Sequence, residues 1–107
     1  MMTRTYGKEL QKLISREDDS RLGVELARVC VNANLPAIHV AGIFGVSRMT
    51  IHSWFRGGMI RMSYRPTIDR FMDQVEDDMG KERLPAESVA EAKSYLDRIR
   101  STVNSGK

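Results

Sequence analysis

The chain has 107 residues, enough for one small domain with a core of its own. Its 41% hydrophobic and 29% charged residues are ordinary for a globular protein, and no apolar run is long enough to cross a membrane. A single cysteine excludes an internal disulfide, and the N-terminus lacks the apolar stretch of a signal peptide. We therefore expect a cytoplasmic protein.

Charge is distributed unevenly along the chain. Residues 1–65 hold ten Lys/Arg and five Asp/Glu, whereas residues 66–107 hold seven and nine. No acidic residue occurs from Leu26 to Ile68. This gap predicts a positive local field that favours a polyanion, with the acidic C-terminal part facing away from it.

An N-terminal arm or a short helix is predicted for residues 1–19. Leucine and isoleucine recur there at helical spacing, and the basic side chains share one stripe: Lys8, Lys12 and Arg16. Such a helix could pack on the core or act as a basic arm that touches phosphates.

The first helix of the main domain is predicted from Arg21 to Ala33. Its apolar residues fall on one face: Leu22, Leu26, Val29 and Ala33, with Cys30 beside them. We expect Cys30 to be a small core residue, because nothing in the sequence supplies a base that would activate its thiol.

Two short helical patterns meet at Gly45 within the stretch from Ala37 to Arg56. Ala41 is small where the two helices must cross closely. Gly45 permits the positive φ of a sharp turn, and Ser47 is a suitable N-cap for the second helix. The core-facing residues are Val40, Ala41, Phe44, Val46, Ile51 and Trp54. This arrangement predicts a helix-turn-helix.

The opposite side of the second helix is basic and polar. At about 100° per residue, five residues share this side: Arg48, Met49, His52, Ser53 and Arg56. Because the side carries no carboxylate, we expect it to contact base edges in the major groove of double-stranded DNA, with Met49 turned toward a thymine methyl. Four further residues are expected to contact phosphates: Ser47, Thr50, Arg61 and Arg65.

The stretch from Leu35 to Gly57 resembles the Cro and lambda-repressor type of helix-turn-helix, also called XRE-like. The matching positions are Ala41, Gly45, Val46, Ser47, Ile51, Trp54 and Gly57. The chain departs from that family at Pro36 and Ala37, where Ser-Gln is frequent, and at Phe55, where Glu is frequent. The resemblance implies the fold and DNA binding more than a particular set of contacts.

Residues 60–65 alternate between apolar and polar side chains, which is the period of a strand. No other run offers a clear partner, so we expect an extended loop that buries its apolar members: Ile60, Met62 and Tyr64. The alternative is a strand that pairs across a dimer or forms a wing, with its two arginines facing phosphate.

Two more amphipathic helices are predicted. The first runs from Thr67 to Met79, closed by Gly80, with one apolar face: Ile68, Phe71, Met72, Val75 and Met79. The second runs from Pro85 to Val103 within the C-terminal region, residues 81–107. Its apolar residues are spaced as in a short coiled coil: Val89, Ala92, Leu96, Ile99 and Val103. This seam could pack on its own domain or form a dimerisation element.

Catalytic and metal-binding patterns are not evident. The two histidines, His39 and His52, lie on different predicted helices without further ligands at metal-binding spacing. An acidic group on the fourth helix is expected to be a solvated face: Asp73, Glu76, Asp77 and Asp78. We therefore expect no enzymatic activity, no metal, no cofactor and no small-molecule substrate.

The sequence thus predicts an all-α domain of four or five helices, with a helix-turn-helix DNA-binding domain at residues 20–80. Its expected function is sequence-specific binding of double-stranded DNA by a homodimeric transcriptional regulator, such as a repressor, of bacterial, phage or mobile-element origin. Two alternatives remain open. One is a phage DNA-packaging protein that resembles a small terminase subunit in an oligomeric ring. The other is a protein-interaction module on the same fold.

Overall fold

Five helices and one 3₁₀ turn make up residues 21–104, the range that the computed structural model describes. The arm or helix expected in residues 1–19 lies outside this range. The helices are α1 (residues 21–32), α2 (Ala37–Phe44), α3 (Arg48–Phe55), α4 (Arg65–Gly80) and α5 (Val89–Asn104), with the 3₁₀ turn Met62–Tyr64 before α4. No strand occurs between residues 21 and 104, and the predicted all-α class is confirmed.

Helices α1 to α4 all end in the same local structure. Each is followed by a residue with positive φ: Asn34, Gly45, Gly57 and Glu82. The next N–H then donates to the carbonyl five residues earlier, as from Val46 to Ala41 at 3.1 Å and from Gly58 to Ser53 at 2.8 Å. This Schellman arrangement satisfies carbonyl groups that a helix end would leave without partners. It stops each helix sharply, which allows α2 and α3 to be only eight residues long.

The connection between α2 and α3 has the predicted local geometry. Gly45 adopts a left-handed conformation with φ 66° and ψ 32°. The Ser47 hydroxyl accepts a hydrogen bond from the backbone N–H of Thr50 at 3.1 Å, as an N-cap does. Both expectations are confirmed, and the Ser47 side chain is exposed.

Aromatic rings link α2, α3 and α4 at the centre of the core. The Phe44 ring lies edge-to-face with Trp54 at 5.6 Å and with Phe71 at 5.5 Å between ring centroids. Trp54 also meets Tyr64, in the 3₁₀ turn, at 5.1 Å. Buried residues from every helix join this group in one continuous cluster, which therefore extends across residue 80 into α5.

Helix α5 starts later than predicted and packs on the chain's own core. The Ser88 hydroxyl accepts from the backbone N–H of Glu91 at 3.1 Å, so the helix begins at Val89 instead of Pro85. Val89 is 61% exposed and is not part of the buried seam. The other four seam residues are buried against α2 and α4: Ala92, Leu96, Ile99 and Val103. These four residues are therefore not available as a dimer interface in this structure.

The alternating run after α3 is neither a strand nor a fully buried loop. Ile60 is buried as expected and Tyr64 is half-buried, but Met62 is 75% exposed, so its predicted burial is wrong. The alternation fails because the backbone turns into a 3₁₀ conformation at Met62. Three residues per turn place Met62 away from the side shared by its two apolar neighbours.

Asp78 is not part of a solvated acidic face. Its side chain is 2% exposed and accepts hydrogen bonds from Tyr95 Oη at 2.7 Å and Gln74 Nε2 at 3.0 Å. Arg83 approaches the second carboxylate oxygen at 3.5 Å. The residue lies three positions after buried Val75, so the helical period directs it inward with the apolar residues. The predicted exposure of Asp78 is therefore wrong.

The partners of Asp78 also decide its ionisation. Burial opposes the charged form, but the hydrogen bonds from Gln74 and Tyr95 and the charges of Arg83 and Lys81 together lower the pKa of Asp78 below its ordinary value. Burial and the same hydrogen bond raise the pKa of Tyr95. A carboxylate and a neutral phenol thus join the last part of α4 to α5.

Candidate nucleic-acid interface

The inner side of α3 is fixed by core packing. Ile51 and Trp54 are 0% and 2% exposed and face the aromatic centre. Behind α3, Gly23 of α1 lies against the backbone carbonyl of Trp54, where a Cβ atom would overlap the oxygen. Contacts to both side chain and backbone therefore set the position of α3 on the domain.

The outer side of α3 forms a shallow, solvent-open groove of about 590 Å³, called the α3 groove below. Among residues 21–104, its lining consists of the five residues that the sequence predicts as base-contacting: Arg48, Met49, His52, Ser53 and Arg56. Residues four apart form rows along a helix. Arg48, His52 and Arg56 therefore occupy one row, and Met49 and Ser53 occupy the neighbouring row. The structure thus brings all five residues together.

Within residues 21–104, the arginines of the α3 groove have no acidic partners. Elsewhere, Arg28 pairs with Glu25 at 3.2 Å, and Lys81 pairs with Asp77 at 3.0 Å. By contrast, none of the carboxylates in residues 21–104 forms an ion pair with Arg48 or Arg56. Because no carboxylate among the described residues neutralises them, both guanidinium groups can donate to an external acceptor.

The four residues predicted to contact phosphate lie at different places. Ser47 and Thr50 are joined through their hydroxyls at 3.1 Å in the first turn of α3, beside the groove. Arg61 is exposed just before the 3₁₀ turn. Arg65 is half-buried at the start of α4 and lines a separate depression with residues of α1 and α4: Arg21, Leu22, Glu25 and Asp69. The structure therefore does not bring Arg65 into the α3 groove.

The other titratable candidates are placed as core or single surface groups. Cys30 is 2% exposed, and burial raises the pKa of its thiol to about 12, which keeps the thiol protonated at neutral pH. Among residues 21–104, His, Cys, Asp and Glu side chains form no group of three that could hold a metal ion. The α3 groove is therefore the candidate functional site.

Two glycines lie close to atoms of α3: Gly23, which the sequence does not single out, and Gly58, which it indicates only as part of a helix stop with Gly57. Gly23 packs on the Trp54 backbone, and a Cβ on Gly58 would overlap the Ser53 hydroxyl and lie 2.8 Å from the Ser53 carbonyl oxygen. A signal for Gly23 was present, because it precedes Leu26 and Cys30 at spacings of three and seven on the buried face of α1. A glycine on that face indicates a close backbone approach.

Comparison of the sequence with family models, with curated proteins and with solved structures finds no match. Between residues 21 and 104, none of the helices combines the length and the apolar character needed to span a bilayer.

Proposed function

We propose that this protein binds double-stranded DNA in a sequence-specific manner and inserts α3 into the major groove. The observation that carries the proposal is the α3 groove, in which two arginines lie beside His52 and Ser53 and form no ion pair with a carboxylate of residues 21–104. Base edges in the major groove offer many acceptors, above all N7 and O6 of guanine, which suit a guanidinium group.

The dimensions of α3 fit this role. An α-helix with its side chains is about 10–12 Å across, close to the width of the major groove of B-DNA. Arg48 and Met49 lie in the first turn, the part of a recognition helix from which side chains usually reach base edges. Arg56 follows the last turn, nearer to the phosphates that border the groove.

Residues beside α3 provide hydrogen-bond donors and positive charge for DNA phosphates. The hydroxyls of Ser47 and Thr50 lie at the N-terminal end of α3, where backbone N–H groups also favour an anion. Arg61 is exposed and forms no ion pair with the described part of the chain. Helix α2 would cross the DNA backbone beside them, as the first helix of a helix-turn-helix does.

Sequence-specific DNA binding by a small domain is consistent with a regulatory role. The resemblance to XRE-like proteins supports a transcriptional regulator that acts in the cytoplasm. Such proteins gain affinity when two copies occupy adjacent half-sites. Because four of the five seam residues, Ala92, Leu96, Ile99 and Val103, are buried, pairing of this chain would use another surface.

The proposal is tested by selecting binding sites from a library of random duplexes with the full chain. We expect one enriched sequence, bound more tightly than a scrambled duplex of equal composition. The same selection with Arg48→Ala/Arg56→Ala should lose the enriched sequence, since this variant retains the buried side of α3.

The matched control is Arg28→Ala, because Arg28 is an exposed arginine on α1 that already pairs with Glu25. It should enrich the same sequence as the wild type. If the wild type enriches no sequence, or if the double variant enriches the same one, the proposal is wrong.

A further inference from the structure

Met49 occupies an unusual position for a methionine. It is 81% exposed on the second residue of α3, and it lines the α3 groove. Met59 and Met62 are similarly exposed, at 85% and 75%, but they follow α3 and do not line the groove. Met49 is therefore the one apolar side chain among the five that form this surface.

An apolar group in a polar DNA-binding groove needs an apolar counterpart to gain from burial. The edges of base pairs in the major groove offer one such group, the C5-methyl of thymine. The unbranched thioether side chain of methionine can adjust its torsions to cover a methyl group. Its neighbours Arg48, His52 and Ser53 provide donors, so they cannot supply this contact themselves.

We propose that Met49 recognises a pyrimidine that carries a C5-methyl group, and so makes thymine the preferred base at one position of the binding site. This inference rests on the proposed DNA binding by α3. It assigns to Met49 a specificity role that differs from the hydrogen bonding of the arginines. The ligand feature recognised is the methyl group alone.

The test replaces each thymine of the selected duplex, one at a time, by deoxyuridine, which removes only the methyl group. Fluorescence anisotropy titrations should show binding about three- to fivefold weaker at one thymine, as expected from the loss of one buried methyl. In Met49→Ala this penalty should disappear, so that thymine and deoxyuridine duplexes bind equally.

Met59→Ala is the matched control, because it removes an equally exposed methionine outside the groove. It should retain the full deoxyuridine penalty. A wild type that binds the selected duplex with no penalty at any thymine would overturn the role of Met49 and leave DNA binding intact. A penalty that persists in Met49→Ala would do the same, since another residue would then contact the methyl. A wild type without sequence preference would overturn both proposals.

Discussion

Gly23 of α1 lies so close to the backbone carbonyl of Trp54 in α3 that no side chain fits between them. The contact supports α3 on the side opposite the α3 groove. Since Trp54 also packs on Phe44, the position of the groove depends on α1 and α2 together. A residue far from the candidate interface in sequence thus controls its geometry.

Replacing Gly23 by Ala should destabilise the domain by about 1–3 kcal/mol, because the methyl group overlaps backbone atoms that cannot move independently. Gly80→Ala is the matched control, since Gly80 is helical and a Cβ there meets nothing within 4 Å. That change should be neutral or stabilise by up to about 1 kcal/mol. Urea unfolding of both variants measures the difference. Equal stability of the two would contradict the close contact between α1 and α3.

Substitutions at Gly45 test whether the turn between α2 and α3 requires a left-handed backbone conformation. The φ of Gly45 is 66°, and a Cβ would meet nothing within 4 Å, so steric contact with other residues is excluded as a cause. Gly45→Ala should cost about 1–2 kcal/mol, whereas Gly45→Asn should cost less, because asparagine tolerates the left-handed region. Asn34 already adopts φ 60° after α1. Thermal unfolding in which alanine is as stable as asparagine would contradict this account of the turn.

Most of the fold could be predicted because its signals are local. Gly45 and Ser47 mark the turn, and the helical period identifies most of the buried residues of α1 to α4. The start of α5 was missed because Pro85 and Ser88 both suit a helix N-terminus, and only the hydrogen bond from Glu91 to Ser88 decides between them. The helical period places Asp78 on the buried side of α4, but burial of an aspartate is expected only with a partner, and its partner Tyr95 lies on another helix.

Asp78 should make stability depend on pH in the acid range. Its pKa is lowered in the folded protein, so its ionised form contributes stability that is present above the ordinary aspartate pKa of ~3.9 and is lost as the pH falls through the lower folded value. Asp78→Asn should destabilise the protein by about 1–3 kcal/mol at pH 7. The gap between the two proteins should narrow as the pH falls below ~4.

The control for this pH dependence is Asp73→Asn, an exposed position on the same helix. The free energy of unfolding in urea is measured for the wild type and both variants from about pH 7 to about pH 2.5. Asp73→Asn should follow the wild type throughout. A constant gap between Asp78→Asn and the wild type over the whole range would show that the charge of Asp78 contributes nothing to stability.

Two positions of the same seam on α5 should respond differently to truncation. Leu96 is 2% exposed and Val89 is 61% exposed. Leu96→Ala should cost about 2–5 kcal/mol, as expected for a buried leucine, and Val89→Ala should change stability by no more than about 0.5 kcal/mol. Chemical denaturation at two protein concentrations measures both. Similar effects at both positions would contradict the docking of α5 on its own domain.

The sequence predicts which residues of α3 line the candidate site, but it does not predict which residues after α3 lie near it. The helical wheel places Arg48 and Met49 on the outer side of α3, and the structure places them in one groove. Arg65 was grouped with them because the chain between residues 60 and 65 alternates. Because of the 3₁₀ turn at Met62, Arg65 instead lies in a depression beside α1. A change of backbone period within one short segment is not evident from side-chain alternation.

DNA binding by the α3 groove is tested most directly by titrating arginine variants against the selected duplex and its scrambled form at several salt concentrations. Arg48→Ala should lose about 1–3 kcal/mol on the selected duplex and much less on the scrambled one, because it removes a base contact. Arg61→Ala should weaken both duplexes and lower the slope of log K against log salt by about 0.9, because it removes a phosphate contact. Arg28→Ala, the paired surface arginine, should change neither. If neither Arg48→Ala nor Arg61→Ala differs from Arg28→Ala on either duplex, DNA binding by the α3 groove is contradicted.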